Sequence, residues 1–247
     1  MAMTNTQTPS PDALISATAL KLRRGDAVVI DGLDLRLDAG NAVMITGKNG
    51  SGKTTMLRAM AGLLPIDGGT LMVNGMTHDA QRSAIMEQLI YIGHRDGLSS
   101  ALTSAENITH WAASRNLTPT HHDITAAFDA LGLGHLTNAY VRHLSEGQRR
   151  RVSLVRLSLS HHLRHYSGKQ AKLQGKIWLM DEPLTAIDDS ASLQLAQLID
   201  AHTEDGGGVI LTSHSDISLQ RCRALNLHEG NLQEGNLYEG KFNGGAA

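Results

Sequence analysis

Apolar and polar positions alternate in short segments over the first third of the chain. Between residues 13 and 37 the apolar segments are interrupted by charged residues and glycines, a pattern typical of antiparallel strands joined by turns. Residues 69–73 predict a further strand that ends at Asn74-Gly75, a dipeptide that favours hairpin turns. With Leu89–Ile92 as one more strand, these segments predict a small antiparallel β-layer that ends there.

A different order of elements begins with the compact apolar strand predicted at residues 41–46. A glycine-rich turn leads from it into a segment at 53–63 that has the apolar spacing of a helix. Farther along, a strand at 177–180, a helix at 190–199 and a strand at 209–212 repeat this alternation. Strands that alternate with helices indicate βαβ units, so we expect an α/β fold with a parallel sheet.

Helical patterns dominate the middle of the chain. One helix is predicted to begin at Thr103, because Glu106 completes a capping box three residues later. A second helix is predicted to begin near Asp123 and a third to cover residues 146–160. Together they predict a helical subdomain at about residues 97–160.

The two ends of the chain differ from the rest in composition. Residues 1–12 are polar and rich in Thr, Ser and Pro, which predicts a disordered tail. Residues 231–247 form a C-terminal tail with repeated Glu-Gly pairs that are too few to build a repeat architecture, and we expect short strands or disorder there. No linker interrupts residues 13–230, which are predicted to form one domain.

Charge, cysteine content and hydropathy narrow the functional classes. With 22 basic against 24 acidic residues, the chain lacks the cationic excess that nucleic-acid binding needs, so no nucleic-acid partner is expected. The single cysteine, Cys222, can form neither an internal disulfide nor a thiolate cluster for zinc. Nowhere do about 18 uninterrupted apolar residues occur, so no direct membrane span is expected and any membrane role would come through a partner.

The glycine-rich turn matches the phosphate-binding P-loop pattern, with a strand before it and a helix after it. The ATP-binding residues predicted from this match are Gly47, Lys48, Asn49, Gly50, Ser51, Gly52, Lys53, Thr54 and Thr55. Glycines let successive N–H groups face inward as an anion nest, and the helix adds the positive end of its dipole. Lys53 would reach the β and γ phosphates, Thr54 would ligate Mg²⁺, and Thr55 is placed to contact the α phosphate.

A second motif ends the strand predicted at residues 177–180. Asp181 and Glu182 follow that strand directly. Asp181 can hold the ligand shell of Mg²⁺, and Glu182 can polarise an attacking water as the catalytic base. Taken alone, an apolar strand followed by acidic residues more often just runs into a polar turn. Its position after the P-loop favours the catalytic interpretation.

A third segment indicates the family. Leu144-Ser145-Glu146-Gly147-Gln148 resembles the signature sequence of ABC ATPases and lies at the start of a predicted helix. The resemblance places Asp188 in the family's D-loop and makes His214 its switch histidine, a catalytic residue that would hydrogen-bond the γ phosphate. It implies a P-loop NTPase ABC cassette with a RecA-like core, an antiparallel β-layer and a helical subdomain. It also implies a homodimer, in which the signature of one chain closes over the ATP of the other.

Two departures from the general ABC pattern narrow the resemblance. His94 stands among the ATP-binding positions where most ABC ATPases place a glutamine, and Arg23 and Arg24 stand where an adenine-stacking aromatic residue is expected. Residues 91–98 and 102–107 resemble the ATPases of the haem exporters of bacterial cytochrome c maturation. That resemblance implies a peripheral ATP-hydrolysing subunit, docked on membrane-spanning permease subunits at the cytoplasmic face of the inner membrane. Its ATP hydrolysis would energise haem export or haem-chaperone release.

Other functions stay open at this point. An ABC ATPase subunit for a lipid, a peptide or a drug would share the same motifs, since cargo contacts lie in other subunits. A soluble ABC ATPase that acts on DNA or ribosomes would usually carry long coiled-coil inserts or a second cassette. A regulatory module that binds nucleotide without turning it over would not need Glu182 and His214.

The stretch at residues 161–175 is basic and rich in histidine. It predicts an exposed insertion, and contact with anionic lipid headgroups or with haem is the alternative. No histidine pair in the chain, His121-His122 included, shows zinc-type spacing with a carboxylate or thiolate partner. Mg²⁺ bound with ATP is therefore the only metal expected.

Overall fold

The computed structural model describes residues 13–78, 82–166, 176–214, 217–228 and 231–234. Within these residues the chain forms two β-sheets and a set of α-helices. The strands are β1 (Ala13–Arg24), β2 (Ala27–Asp38), β3 (Ala42–Thr46), β4 (Gly68–Val73), β5 (Met76–Thr77), β6 (Leu89–Ile92), β7 (Ile177–Asp181), β8 (Gly208–Thr212), β9 (Cys222–His228) and β10 (Asn231–Glu234). The helices are α1 (Lys53–Met60), α2 (Arg82–Gln88), α3 (Ser104–Ala113), α4 (His121–Asp129), α5 (Glu146–Tyr166) and α6 (Asp189–Glu204).

An antiparallel sheet with the strand order β2-β1-β4-β5 forms one layer, as the sequence predicts. Ile15 and Leu22 of β1 are buried, and a bulge near Ala19, whose φ is 48°, shifts the alternation between them. Asn74 and Gly75 both have positive φ and close the predicted hairpin between β4 and β5. The local turn signals therefore produce the expected β-layer.

A six-stranded sheet with the order β10-β9-β3-β8-β7-β6 forms the centre of the fold. Strands β3 and β6–β9 run parallel, and β10 pairs antiparallel with β9. Every residue of β7 and β8 is buried, because both faces of the sheet are covered. Strand β6, expected at the end of the antiparallel layer, belongs instead to this sheet, where it pairs with β7. Its continuous apolar sequence suits a strand that is covered on both faces.

Two hydrophobic cores lie on opposite faces of the central sheet. One fills the space between that sheet, the antiparallel layer and α1, and includes Ile45, Met56 and Leu179. The other packs α3, α4, α5 and α6 against the sheet around Phe128 and Trp178. The strands are thus held from both sides, which fixes their carboxyl ends in space.

Helices α3 and α4 begin with capping boxes. The predicted capping box at Thr103 is confirmed. The Thr103 hydroxyl accepts from the Glu106 N–H at 3.2 Å, and the Thr103 N–H donates to the Glu106 carboxylate at 2.7 Å. The second helix begins at His121, with Thr120 and Asp123 in the same reciprocal arrangement. Asp123 is therefore the third residue of its helix rather than its first.

Helix α5 continues to Tyr166, past the end predicted at residue 160. Leu163 is only 3% exposed, because it packs into the core beneath the helices. The prediction of an insertion is therefore wrong for residues 161–166, which continue α5, although the His165 side chain is exposed. The remainder of that stretch, with Lys169 and Lys172, lies outside the described residues.

The extension of α5 also corrects the expectation that no histidine pair has a carboxylate partner. It places His161 and His165 on successive turns of one helix, beside Asp205 at the end of α6. Asp205 is distant in sequence, so the arrangement depends on how α5 and α6 pack.

The predicted tails are described only in small part. Residues 1–12 and 235–247 lie outside the described residues, so the prediction of disorder there stays a prediction. Residues 231–234 form strand β10, which extends the central sheet and lies against β2. In the described part of the chain, no helix combines the length and the apolar character that crossing a membrane requires.

Candidate nucleotide-binding and catalytic site

The predicted P-loop, the acidic strand end and His214 come together at one edge of the central sheet. The P-loop follows β3, Asp181 ends β7, and His214 follows β8. These three strands are parallel neighbours in the sheet, so their carboxyl ends meet at the same edge. Ligands of open α/β sheets bind at this edge.

Three glycines shape the loop between β3 and α1. Gly47, Gly50 and Gly52 have φ values of 147°, 84° and 104°, which side chains rarely permit. A side chain at Gly47 would also collide with the Leu227 carbonyl of β9. Gly52 caps α1 and has no side chain to satisfy the first N–H groups of the helix. The loop therefore presents backbone donors and a helix N-terminus, as anion binding requires.

Lys53 folds back over the loop that it follows. Its ammonium Nζ donates to the Gly47 carbonyl at 2.7 Å and to the Lys48 carbonyl at 3.2 Å, and the residue is only 6% exposed. Nearby, the Ser51 Oγ is buried and has no hydrogen-bond partner among the described residues. A buried cation among neutral carbonyls, beside an unsatisfied hydroxyl, suits an anionic ligand with several oxygens.

A chain of hydrogen bonds links the P-loop to the strand ends. The Thr54 hydroxyl donates to Asp181 Oδ2 at 2.8 Å, and the Thr212 hydroxyl donates to Asp181 Oδ1 at 3.0 Å. The Thr212 hydroxyl in turn accepts from the Glu182 N–H at 3.0 Å. Thr54 and Asp181 thus place two oxygens side by side, a donor set of the kind that Mg²⁺ prefers. The residues present fit the expected ion.

Glu182 follows the strand in a conformation that is unusual for a residue with a side chain. Its φ is 50°, and deviations of this kind concentrate at functional sites. Its carboxylate Oε1 lies 3.1 Å from His214 Nε2, and the same nitrogen lies 3.4 Å from Lys53 Nζ. Both Glu182 and His214 are partly open to solvent, so they can meet a ligand and a water molecule.

Two clefts are lined in part by P-loop residues. One, of about 240 Å³, is lined by P-loop residues together with Arg24, Val29 and Glu182. The other, of about 540 Å³, is lined by Gly47, Lys48, Asn49, His214, Asn226 and His228. Arg24 therefore borders the P-loop at the position where the sequence suggested a guanidinium group in place of an aromatic ring.

Arg150 is a site residue that sequence reasoning missed. Its guanidinium is buried and donates to three backbone carbonyls, those of Gly93 at 2.6 Å, Asp181 at 2.7 Å and Glu182 at 2.9 Å. Burial lowers its pKa, although the charge of Asp181 acts in the opposite direction. Arg150 therefore ties helix α5 to the ends of β6 and β7. A run of three arginines was visible in the sequence, but it did not distinguish the buried one.

Thr212 is the second missed residue. It is fully buried and lies directly beside Asp181 in the sheet register. The available signal was a threonine at the end of an otherwise apolar strand, two positions before His214. Thr212 aligns both acidic residues through a single hydroxyl.

The signature residues cap α5. The Ser145 N–H donates to Gln148 Oε1 at 2.9 Å, and the Gln148 N–H donates to Ser145 Oγ at 3.2 Å. Leu144 is buried, whereas Ser145 and Glu146 are exposed. A side chain at Gly147 would collide with the Ala186 carbonyl, so α5 begins in close contact with the segment that follows Glu182. None of the hydrogen bonds or ion pairs of the described residues joins the signature to the P-loop of the same chain.

Asp188 and His94 complete the predicted set. Asp188 caps α6 by accepting from the Ala191 N–H at 2.8 Å. His94 is exposed just beyond β6, next to the Gly93 carbonyl that Arg150 holds. Among the described contacts, no hydrogen bond or ion pair connects His94 with Thr54 or Asp181. The structure therefore gathers the P-loop, Asp181, Glu182 and His214, and leaves His94 and the signature at the surface nearby.

A phosphate-binding loop, two acidic residues at a neighbouring strand end and a histidine define an ATPase of the P-loop class. The family described as ABC transporter matches residues 30–185, more than half of the chain, and the chain belongs to this family. It is an ATP-hydrolysing ABC cassette.

Two curated relatives match more than four fifths of the chain. The chain is 35% identical over 205 residues to the "Cytochrome c biogenesis ATP-binding export protein CcmA" of Albidiferax ferrireducens, which covers 83% of this chain and 91% of the relative. It is also 35% identical over 218 residues to the protein of the same name from Pseudomonas fluorescens, with 88% and 97% covered.

Solved structures share the fold at lower identity. An ATP-binding subunit of an ABC transporter superposes with a TM-score of 0.77 at 21% identity, covering 91% of this chain and 90% of that one. An ATP-binding cassette solved as a dimer in a post-hydrolysis state, bound to ADP and Pi, gives a TM-score of 0.74 at 20% identity, with 89% and 97% covered. The cassette architecture predicted from the sequence is confirmed.

Proposed function

We propose that this chain is the ATPase subunit of a membrane complex in bacterial cytochrome c biogenesis, where it energises haem export or the release of haem from its chaperone. The assignment of ATP hydrolysis is supported by one observation: Thr54, Asp181, Glu182 and His214 lie close together beside the P-loop. The biogenesis part is supported by the 35% identity to the relatives named for that process.

ATP binds in this proposal with its phosphates on the P-loop. The N–H groups of residues 47–52 and of the first turn of α1 surround the phosphate oxygens, and Thr55 contacts the α phosphate. Lys53 exchanges its carbonyl partners for the β and γ phosphates, which satisfies a buried ammonium better than neutral carbonyls do. Arg24, at the border of the cleft, stacks on the adenine.

Mg²⁺ would be held by the Thr54 hydroxyl and, through its ligand shell, by Asp181, where it would neutralise charge on the phosphates. Glu182 then acts as the catalytic base that orients and polarises the attacking water. Thr212 keeps the Glu182 backbone in its positive-φ conformation by accepting from its N–H. His214, beside Glu182, hydrogen-bonds the γ phosphate.

The signature acts on a second copy of the chain. Ser145 and Gly147 lie at the exposed N-terminus of α5 and make no described hydrogen bond to the P-loop of their own chain. A head-to-tail homodimer would bring the signature of one protomer onto the ATP of the other, with Asp188 at the contact. The likeness to a cassette solved as a dimer supports this arrangement. The permease partners would hold the dimer as a peripheral protein at the cytoplasmic face of the inner membrane.

The test is a mild-detergent purification of the tagged chain from its native membrane, with mass spectrometry and a haem absorbance spectrum of the eluate. Recovery of haem-handling cytochrome c maturation subunits, with ATPase activity that Glu182→Gln abolishes, is the expected result. Recovery of the permease of a lipid, peptide or drug transporter would overturn the biogenesis assignment and leave the ATPase assignment intact. Recovery without any permease would overturn the membrane role.

A further inference from the structure

A cluster of two histidines and an aspartate lies away from the nucleotide site. His165 Nε2 is 2.6 Å and His161 Nδ1 is 3.6 Å from the same oxygen, Oδ2 of Asp205. The three potential ligand atoms all lie within 4.8 Å of one another. The histidines come from the last turns of α5, and Asp205 directly follows α6. Each helix begins near the nucleotide site, and the 16-residue α6 alone is about 24 Å long, so the cluster is remote from that site.

His161 is incompletely satisfied within this cluster. Its Nδ1 is buried and has no hydrogen-bond partner among the described residues, since the Asp205 oxygen at 3.6 Å is too far for one. The oxygen itself is engaged by His165. A buried nitrogen without a partner is costly, and an ion is one of the few groups that would remove that cost.

Two titratable side chains near the cluster, His202 and Arg164, have hydrogen-bond partners outside it. His202 stacks on Trp178 with 3.6 Å between ring centroids, and its two nitrogens face Arg164 and the Lys176 carbonyl. Arg164 directs its guanidinium to His202 and to the backbone carbonyl of Asp205, and its charge also acts on the Asp205 carboxylate and on His161. The carboxylate and the two imidazoles face one another where the two helices end.

We propose that His161, His165 and Asp205 form a binding site for a divalent transition-metal ion of the zinc class. Imidazole nitrogens at i and i+4 on a helix, with one carboxylate oxygen, suit Zn²⁺ or Co²⁺ and not Mg²⁺ or Ca²⁺, which prefer all-oxygen sites. Tetrahedral zinc requires ligand atoms roughly 3.3 Å apart, so only small side-chain movements separate the present arrangement from coordination. The fourth position is open to water, because His165 and Asp205 are partly exposed.

The ion would connect the C-terminal ends of α5 and α6, two helices whose N-terminal ends carry predicted site residues. Helix α5 begins at the signature, and α6 begins after Asp188. A metal bound to the folded chain alone stabilises it in proportion to the logarithm of the ion concentration. The site would thus stabilise the packing of α5 against α6 without contacting ATP.

The experiment uses the full-length chain without a histidine tag, stripped of metal and kept in excess Mg²⁺. Zinc binding is measured by calorimetry, Co²⁺ binding by its visible absorption, and unfolding by a thermal melt. The expected result is one ion per chain and a Tm that rises by about 5–10 °C at a free Zn²⁺ concentration of about one hundred times the Kd. His165→Gln and Asp205→Asn should each lower zinc affinity by about tenfold or more, which at the same zinc concentration cuts the Tm response to about half or less.

His162→Gln is the matched control, since His162 lies on the same helix but pairs with Asp123 outside the cluster. It should bind zinc as the wild type does. Because the His165 side chain is 42% exposed, its replacement leaves the core intact, and a melt without metal checks this. Equal zinc binding by wild type, His165→Gln and Asp205→Asn would overturn the proposal as adventitious binding. Haem binding that both variants abolish, with no zinc response, would replace it with a haem site.

Discussion

His214 Nε2 lies 3.1 Å from the Glu182 carboxylate and only slightly farther, 3.4 Å, from the Lys53 ammonium. One ring nitrogen therefore faces an acceptor and a donor. When Nε2 carries a proton it can donate to Glu182, and when it does not it can accept from Lys53. The protonation state of one atom decides whether the histidine is paired with the base or with the phosphate-binding lysine.

Replacing Glu182 with glutamine tests the base. Gln keeps the size of the side chain but cannot act as a base, so kcat should fall about 10²–10⁴-fold while ATP binding is retained. Single-turnover hydrolysis and equilibrium binding of labelled ATP measure the two effects separately. Glu87→Gln, on the exposed face of α2, is the control and should keep normal turnover. Near-normal hydrolysis by Glu182→Gln would assign the base to another group.

Thr212 should align Glu182 through its hydroxyl. Thr212→Val preserves the shape but leaves the Glu182 N–H without an acceptor, which should lower stability by about 1–3 kcal/mol. We expect kcat to fall about tenfold or more with a smaller change in the KM for ATP, since Thr212 reaches the P-loop only through Asp181. Thr212→Ser retains the hydroxyl and should restore most of the turnover. If the serine variant is as slow as the valine variant, packing rather than hydrogen bonding explains the effect.

Arg150→Lys tests the connection between α5 and the two strand ends. A lysine cannot reproduce three donors directed at three carbonyls, so unfolding by urea should show a loss of about 2 kcal/mol or more. Arg149→Lys is the matched neighbour, because Arg149 is partly exposed and has an ion pair to Asp96 at 3.5 Å and one hydrogen bond to a carbonyl, that of Leu144, at 3.2 Å. That variant should change stability by about 0.5 kcal/mol or less. Equal losses of unfolding free energy in the two variants would mean that the three hydrogen bonds from the Arg150 guanidinium are not what stabilises this connection.

His202 should make stability depend on pH. Its ring is fully buried, and burial first, then the charge of Arg164, lowers its pKa well below the ordinary 6.5. Below about pH 6.5 the unfolded chain binds a proton on His202 that the folded chain does not bind. The free energy of unfolding is therefore highest above that pH, as far as His202 is concerned, and it decreases as the pH falls. The slope should approach 1.4 kcal/mol per pH unit, roughly.

Urea unfolding in the presence of a chelator, between about pH 7.5 and about pH 5.5, measures this slope. His202→Phe should make the slope shallower, because it removes one of the histidines whose pKa burial lowers; His161 is another. His135→Gln, an exposed histidine outside the core, should leave it unchanged. An unaltered slope in His202→Phe would mean that other groups produce the pH dependence.

The sequence predicts features that depend on neighbouring residues and misses those that depend on packing. Three local features are present as predicted: the glycine-rich turn between β3 and α1, the capping box at Thr103 and the Asn74-Gly75 hairpin. The placement of β6 depended on which strand it would pair with: its continuous apolar sequence suits a strand covered on both faces, but it does not specify β7 as the partner. Arg150 and Thr212 gain their roles from partners across the sheet edge. The His165 and Asp205 contact likewise requires two helix ends to meet.

Strand β10 has a consequence for how the chain can be shortened. It pairs with residues 225–228 of β9, four of the seven residues of that strand, whose outer N–H and C=O groups would otherwise be unpaired. An uncovered edge of this length is a template for pairing with other chains. A chain cut before residue 231 would keep every nucleotide-binding residue and still be prone to aggregate. Residues that read as a dispensable tail thus protect the solubility of the whole domain.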